Sequence, residues 1–168
     1  MTRRRATATL ALAAATVTTG LTAGTFFVFA CAVMPALSRS DDRVFVQVMR
    51  DINDVIQNPL FLTPFLGGLL LCAASAWQSR TEPHRWWTWS GCAAYALTFL
   101  LTVTVNVPLN DQLASATVSL TAAREDFEGP WVAWNAVRAV TSTVGLGLLV
   151  GALSARGRRG PARDDTNL

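Results

Sequence analysis

Four long apolar stretches separated by polar intervals organise this chain. They cover about residues 8–34, 59–77, 86–106 and 131–153, each near or above the roughly 20 residues a helix needs to cross a hydrocarbon core. None contains Lys, Asp or Glu, and the last alone holds an arginine, Arg138. Backbone polar groups in lipid must be satisfied within their own segment, and no period-two alternation marks a barrel, so each stretch predicts a helix. The fold class that follows is all-α: a single membrane domain built as a spanning four-helix bundle.

The polar intervals are unequal. Residues 78–85 carry Glu82 and Pro83 and predict a tight turn. After the first span, Val44, Phe45, Val48, Met49, Ile52, Val55 and Ile56 recur at helical spacing beside Asp41, Asp42, Gln47, Arg50, Asp51 and Asp54. That pattern predicts an amphipathic helix in the first extracytoplasmic loop, capped by Ser40 or Asp41 and ended by Asn58 before Pro59. The interval 107–130 opens with Pro108, Leu109, Asn110 and Asp111, continues through a Ser, Thr and Ala run compatible with a short helix, and closes in an acidic, turn-like stretch at 125–129. Both intervals lie on one side of the membrane, and the expectation is that they roof the bundle.

Composition agrees with the pattern: 51% hydrophobic and 15% charged residues are too apolar for an ordinary soluble domain of 168 residues. All 14 basic residues are arginines. Arg3, Arg4, Arg5, Arg80, Arg85, Arg156, Arg158, Arg159 and Arg163 fall on one side of four crossings, whereas Arg39, Arg43, Arg50 and Arg124 on the other are offset by carboxylates. The positive-inside rule then predicts a multi-pass plasma membrane protein with both termini cytoplasmic, and a disordered tail at 156–168. The first span follows three arginines as a secretory signal does, but it exceeds the roughly 7 to 15 residues of a signal core. No basic patch interleaved with aromatics suggests nucleic acid. Cys31, Cys72 and Cys92 lack metal-ligand spacing, so no metal is expected; Cys72 and Cys92 share a depth and read as small core residues. Thr16, Gly20 and Gly24 give the first helix a small face suited to close helix approach.

Arg138 changes the picture most. A guanidinium near the middle of a span costs roughly 2.5 to 3.5 kcal/mol on insertion scales, so it normally faces a partner or a wet cavity. Trp131, Trp134, Asn135, Arg138, Thr141, Ser142 and Gly145 share its helix face at spacings of three and four. Four crossings bring Asn106 and Asn110 from the third span, and Asn53, Asn58 and Thr63 from the first loop and second span, to about the same level. A mostly apolar pocket with a few convergent polar groups is the expectation for a ligand site. The remaining aromatics, Trp86, Trp87, Trp89 and Trp131, read as interface anchors.

The run Phe26, Phe27, Val28, Phe29 through Val33, Met34, Pro35, Ala36 and Leu37, then Met49, Asn53, Asn58 and Pro59, then Val107, Pro108, Leu109 and Asn110, and finally Trp131, Trp134, Asn135 and Arg138 resembles the anthrone oxygenase-like family of small four-helix membrane proteins. The resemblance implies oxygenation of a tricyclic anthrone to an anthraquinone without flavin, haem or metal. Such chemistry needs a flat apolar slot, a base and donors for an enolate-like anion: Arg138, Asn135 and Asn110 are the candidates to stabilise the anion, Asp54 or Asp111 to remove the proton if the loops fold inward, and Trp134 to stack on the rings, with Asn106, Asn53, Asn58 and Phe27 lining the slot. A histidine that some relatives carry between the tryptophan and the arginine is replaced here by Ala136 and Val137. The expected partners are therefore the bilayer and a hydrophobic aromatic small molecule. Two other readings stay open: a non-catalytic protein that holds a lipid or quinone-like ligand, and a structural module in which the polar residues lock helices together. The oligomeric state is not legible.

Overall fold

A computed structural model describes residues 2–83, 85–117 and 119–157. His84 and the tail arginines Arg158, Arg159 and Arg163 lie outside the described residues, whereas Arg156, read as tail, belongs to the last helical turn. Helices α1 (Thr2–Val28), α2 (Met34–Leu37), α3 (Asp42–Val55), α4 (Pro59–Ser79), α5 (Arg85–Leu101), α6 (Val107–Ser115) and α7 (Leu120–Gly157) follow one another, and no strand occurs among the described residues. Four continuous rods are long and apolar enough to span a membrane: Arg3–Leu37, Pro59–Ser79, Arg85–Ser115 and Leu120–Gly157. They pack as a square in which α1 touches α4 and α7, and α5 touches the same two.

Two of the rods contain a π-helical turn, at Phe29–Val33 and Thr102–Asn106. Both have the same cause. Pro35 and Pro108 follow within two residues; a proline lacks the N–H that an α-helix would use there, and its ring opposes the carbonyl four residues back. The backbone widens instead, so that Met34 N–H donates to the Phe29 carbonyl and Val107 N–H to the Thr102 carbonyl, each five residues back. The helix then resumes with its faces rotated relative to a uniform 3.6-residue repeat.

The amphipathic helix forms as its periodicity predicts. Asp41 accepts from Val44 N–H at 2.9 Å, and Asn58 caps the following helix by accepting from Leu60 and Phe61 N–H. Phe45, Val46 and Met49 are buried with Met34, Leu113, Ala123, Phe127 and Trp131, while Val44 and Val55 are exposed. This helix is a roof, docked on α6 and α7. Arginines tie it down: Arg50 donates from Nε to the Leu113 carbonyl at 2.9 Å and from Nη2 to that of Ala116 at 3.2 Å. Arg124 donates to the Ser38 and Ser40 carbonyls and pairs with Asp42 at 3.1 Å and Glu128 at 2.7 Å. The Thr121 hydroxyl donates to Asp42 at 2.6 Å, and that bond, with the Arg124 guanidinium, holds the Asp42 carboxyl below its ordinary pKa against the opposing effect of desolvation.

One expectation fails here. Residues 125–129 are not a turn; α7 starts at Leu120 and runs through Pro130. Ala123, Phe127 and Trp131, spaced by four, bury one stripe of that early segment against the roof, and tertiary packing of an apolar stripe outweighs the hydrogen bond that Pro130 removes.

At the opposite end the helices close tightly. A methyl group at Gly91 would sit 2.9 Å from Leu149 Cγ and 3.1 Å from the Gly145 carbonyl oxygen, so α5 and α7 meet backbone to backbone. The expected close approach is thus found between these helices, whereas Gly24 of α1 faces open space. Tyr95 donates to the Phe65 carbonyl at 2.9 Å and meets Thr22 Oγ1 at 3.2 Å, joining three helices. Cys72 and Cys92 do touch: Cys92 Sγ lies 3.1 Å from the Cys72 carbonyl, and both thiols are free and buried.

Candidate functional site

Beneath α3 the bundle is hollow. A cavity of about 250 Å³ is bounded by Ile52, Asn53, Ile56 and Gln57 of the roof and by aromatic walls: Phe26 and Phe29 from α1 and its π turn, Phe61 and Phe65 from α4, and Trp131 from α7. Phe61 and Phe65 are stacked with centroids 5.4 Å apart, and Phe99 continues the stack at 5.1 Å. Polar groups interrupt these walls at Thr102, Asn110, Asp111, Asn135 and Arg138. The volume is at the small end of the roughly 300 to 1,000 Å³ typical of ligand pockets, which restricts a guest to one compact ring system.

Arg138 is 4% exposed and Asn135 1%. Arg138 donates from Nη2 to Asn135 Oδ1 at 3.0 Å and makes a long 3.5 Å bond from Nη1 to Thr102 Oγ1. Asn135 in turn donates to the Phe26 carbonyl at 3.2 Å, anchoring the pair to α1 just before its π turn. The guanidinium carbon stands 4.3 Å from the centroid of the Phe26 ring and 5.4 Å from that of Trp131, a cation held between two aromatic faces. It forms no ion pair with any described carboxylate. Its Nε, like Nδ2 of Asn53 in the roof, is buried and has no hydrogen-bond partner among the described residues. Buried donors are normally satisfied, so these two are a cost carried by residues that line the cavity, although the atoms themselves are shielded from it.

The remaining expected residues divide. Asn110 lines the cavity and accepts from Trp131 Nε1 at 2.8 Å, so its carboxamide fixes the indole. Asp111 and Asn53 also line it. Asp54 does not: it is exposed on α3. Asn58 spends its side chain on caps, donating to the Val55 carbonyl and accepting from α4. Phe27 is 58% exposed and Trp134 38% exposed, both turned away from the cavity that their neighbours Phe26 and Trp131 enclose. Asn106 is buried in the second π turn with neither side-chain polar atom partnered, outside the cavity lining.

Phe26, Thr102 and Trp131 were not anticipated as site residues. Trp131 was misread because the helix was expected to begin beside it, which would place its ring at the interface; with eleven further residues of α7 before it, the ring is internal. Phe26 and Thr102 carry a weaker signal: Thr102 opens a π turn, where an extrapolated helix face goes wrong, and Phe26 adjoins an identical Phe27 in regular helix, so residue type does not choose between them. Among the described residues, no group of three or more His, Cys, Asp or Glu side chains is placed to hold a metal ion.

Compared with known proteins, residues 55–148, more than half of the chain, match the family model described as anthrone oxygenase. No curated protein and no solved structure matches.

Proposed function

The chain belongs to the anthrone oxygenase family, and from that premise we propose that the cavity beneath α3 binds a flat aromatic ketone of the anthrone type and oxygenates it with dioxygen alone. The observation that supports the reading is a buried guanidinium, Arg138, that lines an aromatic slot and forms no ion pair with any described carboxylate. Removal of a proton from the ring methylene opposite the ketone converts the guest to an aromatic enolate, and a desolvated guanidinium is the group best suited to hold that oxyanion. Asp111 is the carboxylate that lines the cavity, so it takes the role of base. Dioxygen then adds to the deprotonated carbon. Loss of water from the resulting peroxide leaves the quinone: one oxygen atom stays on carbon, the other departs as water, and all the electrons come from the substrate. Trp131, held by Asn110, and Phe65 supply the ring faces.

The positive-inside pattern adds an orientation to the proposal, with the roof outside the plasma membrane and both termini in the cytoplasm. A structural module calls for a carboxylate or carbonyl partner for Arg138 and no adjoining void; Arg138 has the Asn135 amide oxygen as a partner but also lines the cavity, and the cavity is what favours a ligand site.

The test is turnover of purified protein in detergent with anthrone under air and under argon, following quinone absorbance. Arg138→Ala is expected to lower the protein-dependent rate by about 10²- to 10³-fold, and Asp111→Asn by at least about 10². Rates equal to wild type in both variants, after subtraction of spontaneous oxidation, would overturn the reading. Saturable quenching of tryptophan fluorescence without turnover would favour the binding-protein alternative.

A further inference from the structure

The opposite end of the bundle carries a second opening, of about 870 Å³, between the start of α1 and the end of α4. Arg4, Arg5, Arg80 and Arg156 line it, against the single carboxylate of Glu82. Arg4, Arg5 and Arg80 form no ion pair with any described carboxylate. Arg80 is positioned: Nη1 donates to the Trp77 carbonyl at 2.8 Å, and the guanidinium carbon stands 4.3 Å over the Trp77 ring, which fixes the charge at the rim. Exposed Trp77, Trp86 and Trp89 surround this end, the position of an aromatic belt at headgroup level.

We propose that this opening binds the phosphate of an anionic phospholipid. Guanidinium groups match phosphate oxygens in charge and in hydrogen-bond geometry. The belt sets their level where lipid phosphates lie. Exposed apolar Leu10 and Trp77 continue α1 and α4 within a turn of the lining residues, so an acyl chain has apolar surface next to the phosphate. A free phosphate ester would meet the same cations but would gain nothing from that surface. The site is independent of the cavity beneath α3 and of any reaction there.

Full-length protein purified in neutral detergent would be mixed with phosphatidylglycerol or phosphatidylcholine and the retained lipid counted by intact-protein mass spectrometry. Wild type is expected to retain phosphatidylglycerol preferentially, and glycerol phosphate at equal concentration is expected not to displace it. The preference should fall roughly five-fold for each arginine removed in Arg4→Gln/Arg5→Gln and stay unchanged in Arg39→Gln/Arg43→Gln, which removes equal charge from the roof side. Equal retention of the two lipids, an undiminished preference in the first variant, or displacement by glycerol phosphate would each overturn the proposal. Should the first variant not fold, Arg80→Gln and a salt titration of wild type serve instead: loss of preference supports the site and persistence rejects it.

Discussion

The two halves of this bundle are made from the same four helices and reach opposite ends. Around Gly91 and Gly145, backbones touch, Tyr95 bridges three helices, and Leu12, Cys72, Cys92, Leu149 and Ala152 close the centre. Beneath α3, two rods are widened by π turns, the centre is a cavity, and an arginine that pairs with no described carboxylate stands in its wall. Small residues and uninterrupted α-helix give closure; aromatic residues and proline-induced π turns give room. A bundle needs the first kind of half to survive the second, because the hollow half retains a desolvated charge and a cavity, both of which lower its own stability.

The sharpest way to break the contrast is Arg138→Met. It should abolish protein-dependent oxidation, by 10²-fold or more on the scale of a lost transition-state donor, while the Tm in detergent stays level or rises, since replacing a buried ion by a well-packed apolar chain is often neutral or stabilising. A Tm fall comparable to that of a core truncation would mean that Arg138 is structural. Gly91→Val should give the mirror image. Its side chain would collide with Leu149 and the Gly145 carbonyl, costing about 1 to 3 kcal/mol of stability, seen as earlier thermal unfolding, while the protein that remains folded binds a guest as wild type does.

Asn110→Ala sits between these extremes. It leaves Trp131 Nε1 without its acceptor, and guest affinity measured by tryptophan quenching should weaken about five-fold, the equivalent of one hydrogen bond near 1 kcal/mol. The smallest effect is at the clasp of the roof. A carboxyl whose folded pKa lies below its unfolded value adds stability only above the unfolded value, and loses it as pH falls through the folded one. Asp42 is such a group, so the protection factors of α3 amides, exchange rates corrected for the intrinsic pH dependence, should be constant near neutrality and fall as the pH drops below the carboxyl's ordinary 3.8. Asp42→Asn should show faster exchange already at pH 7, and a flat profile in wild type would remove Asp42 from the clasp.

The spans and the roof helix were legible because each rests on a repeat longer than the local disturbances: some twenty apolar residues per crossing, and an apolar face of α3 that runs from Phe45 to Ile56. The polar level was legible in part: Arg138, Asn135, Asn110 and Asn53 line one cavity, whereas Asn106, Asn58, Thr63 and Trp134 do not. Which neighbour faces inward was not. Phe26 rather than Phe27 and Trp131 rather than Trp134 stand at the walls, because each pair is of one residue type in an apolar helix, and residue type alone does not say which member is turned toward the other helices. The clasp built from Arg50 and Arg124 was also hidden: its acceptors are mostly backbone carbonyls, which leave no trace in a residue pattern.

Helix α7 is 38 residues long, about 57 Å at 1.5 Å per residue, against a hydrocarbon core of about 30 Å. It is at once a membrane anchor, the wall that carries Arg138, and a beam under the roof, with Pro130 its one missing internal rung. A bilayer too thin or too thick for the anchor tilts the beam, and the tilt travels along it to the chamber. Changing lipid chain length is therefore expected to alter the shape of the chamber, because the wall and the anchor are one helix.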